Sequence, residues 1–288
     1  CRPRTCNGCL QKLGFVPRKL RTPTPHGPVR IILNAGGTNC VSHQVLSGGF
    51  FVMTVSTAET AKKPGRTASD ACYSLGEEIA NAVTHGVAAL LSIAGLCVLV
   101  AFAANYSGSA KVVTAVSIFG ASMVLLYTAS TLYHAIPNIN AKRVLQILDH
   151  AMIYVLIAGS YTPFCLITLK GWVGIALCIA VWTIAVVGVS LQKILLKRSD
   201  WINCVLYLAM GWLVVLAFDP LVTALPEGGL WLLVAGGIAY SVGVIFYIWE
   251  KLPYGHAIWH VFVFLGTALQ FFSVLLYVIP GVLDTGAA

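Results

Sequence analysis

Two histidines stand four residues apart in Gly255-His256-Ala257-Ile258-Trp259-His260, at the head of the last apolar stretch. On a helix, positions i and i+4 share one face, one turn apart. Neutral imidazole is the commonest protein ligand for a transition metal. His134 closes an earlier apolar stretch, and Asp149 and His150 open the next. Three imidazoles with one open position form a catalytic zinc pattern. Zinc lowers the pKa of a bound water to about 7 and makes hydroxide available at neutral pH. His134, His256 and His260 are therefore the candidate ligands. Asp149 is the candidate partner of the water, placed to shuttle its proton. Ser130, one turn before His134, could polarise a carbonyl or stabilise a developing oxyanion. Zinc is preferred to iron or copper because no thiolate or thioether set lies nearby and hydrolysis needs no redox change.

Each residue taken alone has a plainer role. A histidine pair at a helix end can be interfacial. Ser130 can bond back to its own helix, and Asp149 can simply favour a helix start. His85 is expected to be a hydrogen-bonded core histidine. His150, about 100° around the helix from Asp149, is expected at the interface or in a supporting position. The joint case rests on depth. All these residues fall at one end of the segments that must position them.

Those segments are membrane spans. The chain has 288 residues, 58% hydrophobic and only 10% charged, where a soluble domain carries about 25% charged residues. About 20 mostly apolar residues cross a bilayer as a helix. Seven stretches qualify, roughly 80–104, 112–134, 146–169, 171–191, 201–218, 229–249 and 257–280. The expected fold is an all-α seven-transmembrane helix bundle. Gly159 and Pro163 should kink or loosen the third span. Scattered glycines such as Gly120, Gly188, Gly243 and Gly266 allow close helix packing.

Basic residues near span ends give the orientation. Lys62, Lys63, Arg66, Lys142, Arg143, Lys193, Lys197, Arg198 and Lys251 fall on one side, and Lys111 and Lys170 on the other. That bias puts the amino terminus in the cytoplasm. His134, Asp149, His256, His260 and the Glu77–His85 stretch then share the cytoplasmic leaflet. Ionisable groups within a bilayer are costly and mark function.

The leader differs in kind. Residues 1–52 hold seven basic residues and no acid, whereas 53–288 hold eleven basic and ten acidic, a balance of +1. The body therefore offers no basic patch for nucleic acid. Residues 1–52 show no sustained periodicity and are expected to be a disordered or non-native leader without a fold. Met53 is the first methionine and the expected start. Residues 53–78 then form a polar cytoplasmic amino-terminal segment, 79–281 the membrane domain and 282–288 a short tail. Cys6 and Cys9, followed by His26 and His43, have zinc-knuckle spacing, but a single pair is a weak signal. Nine cysteines at irregular spacings suggest no disulfide framework.

Together these residues resemble the hemolysin III family. The resemblance rests on Glu77-Glu78-Ile79-Ala80-Asn81 through Thr84-His85-Gly86, Ser130-Thr131-Leu132-Tyr133-His134, Leu148-Asp149-His150-Ala151 with Gly159–Phe164, and His256–His260. It covers about residues 73–280. The family is the bacterial branch of the progestin and adipoQ receptors, in a superfamily with alkaline ceramidases. The resemblance implies a seven-helix bundle in the bacterial inner (plasma) membrane with zinc near the cytoplasmic face. His134, His256 and His260 match its ligands, Asp149 the acid that holds the zinc water, and Ser130 the serine beside it. It implies contact with membrane lipid and possible hydrolysis of lipid amides or esters. A cytolytic or pore-forming protein and a non-catalytic regulator of membrane homeostasis remain the alternatives. The oligomeric state is left open.

Overall fold

The computed structural model describes residues 31–33, 39–45, 51–57, 73–169, 171–198, 200–249 and 251–281. It divides into two units, Cys1–Arg66 and Thr67–Ala288. In the first unit, β1 (Ile31–Leu33), β2 (Asn39–Val45) and β3 (Phe51–Thr57) pair antiparallel in that order. His43 aligns with Ile31 on one side and Met53 on the other. β1 and β2 lie within the leader, and Met53 lies inside β3. Cys6, Cys9, His26, Lys62, Lys63, Arg66, Lys170 and the 282–288 tail lie outside the described residues.

The second unit is helical, with seven helices long and apolar enough to cross a membrane among the described residues. They are α1 (Leu75–Tyr106), α2 (Ala110–Ala135), α3 (Ile139–Pro163) with a π-helical turn Phe164–Thr168, and α4 (Trp172–Arg198). The fifth span is α5 (Asp200–Gly211), a 3-10 stretch Trp212–Ala217 and α6 (Phe218–Ala224). Then follow α7 (Glu227–Ile248) and α8 (Gly255–Ser273), which ends in a second π-helical turn, Val274–Val278. This is a multi-pass membrane protein whose exposed faces carry residues such as Leu90, Ile179, Val186, Leu216 and Leu276. Only fully hydrogen-bonded helices or closed barrels are viable there.

Local chemistry sets the helix limits. Ser74 caps α1 in a capping box with Glu77. Pro137 disfavours helix at Ile136, which is extended, so α2 stops just after His134. Asn138 caps α3 through Asn140 N and Ala141 N. Gly108 and Gly171 take positive φ, 60° and 74°, in the turns after the first and third spans. The bend expected at Pro163 takes the form of the π-helical turn that follows it.

Sequential helices pack as neighbours, and α8 closes back on α1. At Gly159 a Cβ would lie 2.7 Å from Ser122 Cβ, so α2 and α3 approach too closely for a side chain. The Tyr127 hydroxyl donates to Thr267 Oγ1 at 2.7 Å, and Tyr240 OH lies 2.7 Å from the same atom. That knot ties α2, α7 and α8 at mid-depth. Cys97, Cys165 and Cys178 are free thiols.

Candidate metal centre

The end of α2 and the beginnings of α1, α3 and α8 lie at one end of the bundle. There α2 presents His134 and α8 presents His256 and His260. Each offers one ring nitrogen, and the three lie within 4.8 Å of one another. The ring centroids are 5.1, 5.2 and 4.6 Å apart.

The hydrogen bonds decide which nitrogens are free. His134 Nδ1 lies 2.8 Å from Glu78 Oε2, while Lys142 Nζ donates to Oε1 of the same carboxylate at 2.7 Å. A carboxylate only accepts, which puts the proton on His134 Nδ1. His260 Nδ1 lies 3.3 Å from the Asn81 carbonyl and 3.2 Å from Thr84 Oγ1. Thr84 Oγ1 donates onward to the Ala80 carbonyl at 2.9 Å. The same logic protonates His260 Nδ1. His256 Nδ1 pairs with the Tyr73 hydroxyl at 3.1 Å. All three Nε2 atoms are buried with no partner. A buried polar atom without a partner costs about 1–3 kcal/mol, and here three such atoms come from one cluster. Three neutral imidazoles, each held through Nδ1, are the arrangement that orients histidines on a metal. The residues present fit a metal ion.

The entry to α8 is itself held by α1. Tyr254 has φ 57°, a left-handed conformation that disfavours a side chain. Its N–H donates to Glu77 Oε1 at 3.2 Å, while Glu77 Oε2 accepts from Ser74 N. One carboxylate therefore caps α1 and fixes the turn that delivers His256.

Asp149 and Ser130 are brought together. Both are buried, with the Ser130 hydroxyl close to the Asp149 carboxylate. Ser130 lies one turn before His134 on the same face of α2. His150 is buried rather than interfacial: its Nδ1 donates to the Gln146 carbonyl at 2.9 Å. His85 is a core residue, but the hydrogen bonds expected of it are not there, since neither ring nitrogen has a partner.

Beside this cluster lies a cavity of about 100 Å³. Asp149, His85 and His150 are among its polar lining residues, and Ile153, Leu156, Leu208 and Val244 among its apolar ones. A second space of about 90 Å³ shares Ser160, Tyr161, Trp212 and Gln270 with it, between α3, the fifth span, α7 and α8.

Sequence reasoning did not find the supporting residues. Glu78, Thr84 and Tyr73 act across 56, 176 and 183 positions of chain. One signal was present: Glu78, Asn81 and His85 repeat at helical spacing on one face of α1, the face that packs on α2 and α8.

A family model described as "Haemolysin-III related" matches residues 73–271. The "Hemolysin-3 homolog" of Bacillus subtilis (strain 168) is 51% identical over 205 residues, 71% of this chain and 96% of its own. "Hemolysin-3" of Bacillus cereus is 49% identical over 204 residues, 71% of this chain and 93% of its own. The human "Monocyte to macrophage differentiation factor" is 26% identical over 215 residues, 72% of this chain and 85% of its own. The match takes in the whole candidate site, from Tyr73 to His260, and by it this chain belongs to the haemolysin III-related family.

Proposed function

We propose that this protein is a zinc-dependent hydrolase of amide or ester bonds in membrane lipids, with its site at the cytoplasmic end of the bundle. The observation that carries this reading is one juxtaposition. Three buried imidazoles with free Nε2 atoms stand beside a mostly apolar cavity that Asp149 lines, linked to it by His85, which stacks on His260 and lines the same cavity. Bound zinc would supply a water acidified to near neutrality and a Lewis acid for a carbonyl. His134, His256 and His260 would hold the ion. Asp149 takes a proton and returns it to the leaving group. Ser130 donates to the carbonyl oxygen as charge develops there. The apolar wall holds the acyl chain and excludes water. The bias of basic residues supports a cytoplasmic amino terminus, in the inner membrane of a bacterium.

The test is metal content by elemental mass spectrometry on detergent-purified protein, followed by turnover of lipid amides. We expect about one zinc per chain. Asp149→Asn should keep that zinc and lose turnover. Retained turnover would remove Asp149 from the mechanism, and absence of metal from folded protein would sink the hydrolase.

The names of the two Bacillus relatives support a second reading, a cytolytic membrane protein. Lysis of erythrocytes that survives replacement of all three ligand histidines would favour it. A purely structural metal in a regulator of membrane homeostasis would show a protein side chain in the fourth coordination position.

A further inference from the structure

His85 sits on α1, 1% exposed, with both ring nitrogens buried and unpartnered. Its ring stacks on that of His260, centroids 3.5 Å apart and planes 10° from parallel, with Tyr127 edge-on at 5.0 Å. The His260 carbonyl lies in the vicinity, but it is not in hydrogen-bonding geometry with either nitrogen. His85 is not a fourth member of the metal cluster, whose converging nitrogens belong to His134, His256 and His260. It does line the cavity, as Asp149 does.

An imidazole carries one N–H and one lone pair when neutral. Burying both without partners costs several kcal/mol, and burying them inside a membrane protein leaves no bulk water to offset it. A packing role alone would be met better by Phe or Leu, which stack or fill without that cost. The uncommitted nitrogens belong to a residue that shares the cavity lining with Asp149, the residue proposed to act at the scissile bond.

We propose that His85 recognises the polar end of the cavity's occupant by hydrogen bonding to a hydroxyl next to the scissile amide or ester. This rests on the lipid-hydrolase reading and adds a specificity determinant to it. His85 then explains how an otherwise apolar cavity fixes which end of a lipid enters first. His260 and Tyr127 set its ring plane, so the direction of the hydrogen bond is fixed before the lipid arrives.

The experiment uses zinc-loaded protein in detergent and two probes, N-oleoylethanolamine and N-ethyloleamide, which differ only in the hydroxyl. Affinity is read from quenching of tryptophan fluorescence, since Trp259 and Trp212 line the cavity. The parent should bind the hydroxylated probe at least roughly tenfold more tightly, the scale of one buried hydrogen bond. His85→Phe keeps the stack on His260 and should keep the metal, measured by elemental analysis, while erasing the preference. His85→Gln, which still donates and accepts, should restore part of it. Equal binding of the two probes by the parent overturns the proposal without any variant. A preference that persists in metal-loaded His85→Phe also overturns it and leaves the hydrolase intact. Parent protein that holds zinc but binds neither probe defeats the lipid-amide reading and this proposal together.

Discussion

Where α1 meets α2 and α8, polar side chains are tied across the interfaces; where α5 meets α7, the wall is loosely packed and its helix is interrupted. On the first side, the side chains of Glu78, Thr84 and Tyr73 and the Asn81 carbonyl each engage a histidine of the cluster. On the second, the fifth span changes to 3-10 geometry at Trp212–Ala217, and Val215, Leu216 and Phe218 face outward. Under the proposed function the two sides have separate tasks. A metal centre needs ligands fixed to within about 0.5 Å, which the tied side provides. A lipid needs a way in, which a tight wall would deny. The cavity lies between the two.

The comparison breaks first, and most severely, at the ligands. His256→Ala with His260→Ala should abolish metal binding. In the parent, free zinc at a hundred times its Kd should add about 2.7 kcal/mol of stability. In the double variant the thermal midpoint should not respond to zinc. A response of equal size in both would place the metal elsewhere.

Next comes Glu78→Ala. It removes the acceptor that orients His134 and leaves Lys142 without its carboxylate. Loss of such a supporting partner typically costs 10–100-fold in metal affinity. Competition with a chromogenic chelator measures it. Glu78→Gln keeps an acceptor and should lose less. Unchanged affinity in Glu78→Ala would mean that packing alone fixes His134.

A pair of glycines compares the close α2–α3 approach with the fifth-span wall. Gly159→Ala puts a Cβ 2.7 Å from Ser122 Cβ, at the closest approach of α2 and α3. Overpacking of this kind costs about 1–3 kcal/mol. At Gly211, beside the 3-10 stretch, a Cβ meets nothing within 4 Å. Gly211→Ala should leave stability unchanged or raise it slightly, because Ala favours helix. Equal costs at both positions, measured by thermal unfolding in detergent, would erase the distinction between the walls.

Much of this was legible before any coordinates. Hydropathy located all seven spans, because apolar length is a one-dimensional signal. It trimmed their polar ends: the third span was read from 146, whereas α3 starts at Ile139 under the Asn138 cap. The three clustered histidines were legible from type and depth. What stayed hidden was the support. Glu77 reads as a first-turn acid, yet its second oxygen holds Tyr254, 177 residues away. No local pattern encodes which helix face meets which. His85 was read as a satisfied core residue because burial is the usual fate of such a residue, and only the coordinates show both nitrogens unpaired.

The smallest expected effect concerns the loose wall itself. The Tyr161 hydroxyl donates to the Gly211 carbonyl at 2.6 Å and accepts from Val214 N–H at 2.9 Å. It thereby satisfies backbone groups that the change from α5 to 3-10 geometry releases. Tyr161→Phe deletes one oxygen and should cost about 1 kcal/mol, with metal affinity untouched. Hydrogen exchange should quicken within 210–217 and stay constant within 255–262. If Tyr161 holds the break open in a fixed shape, the variant should also bind N-oleoylethanolamine less tightly, because the cavity loses a defined wall. Faster exchange that reaches His256 and His260 would show instead that the two sides move as one, and the division between a tied site and a loose entry would fail.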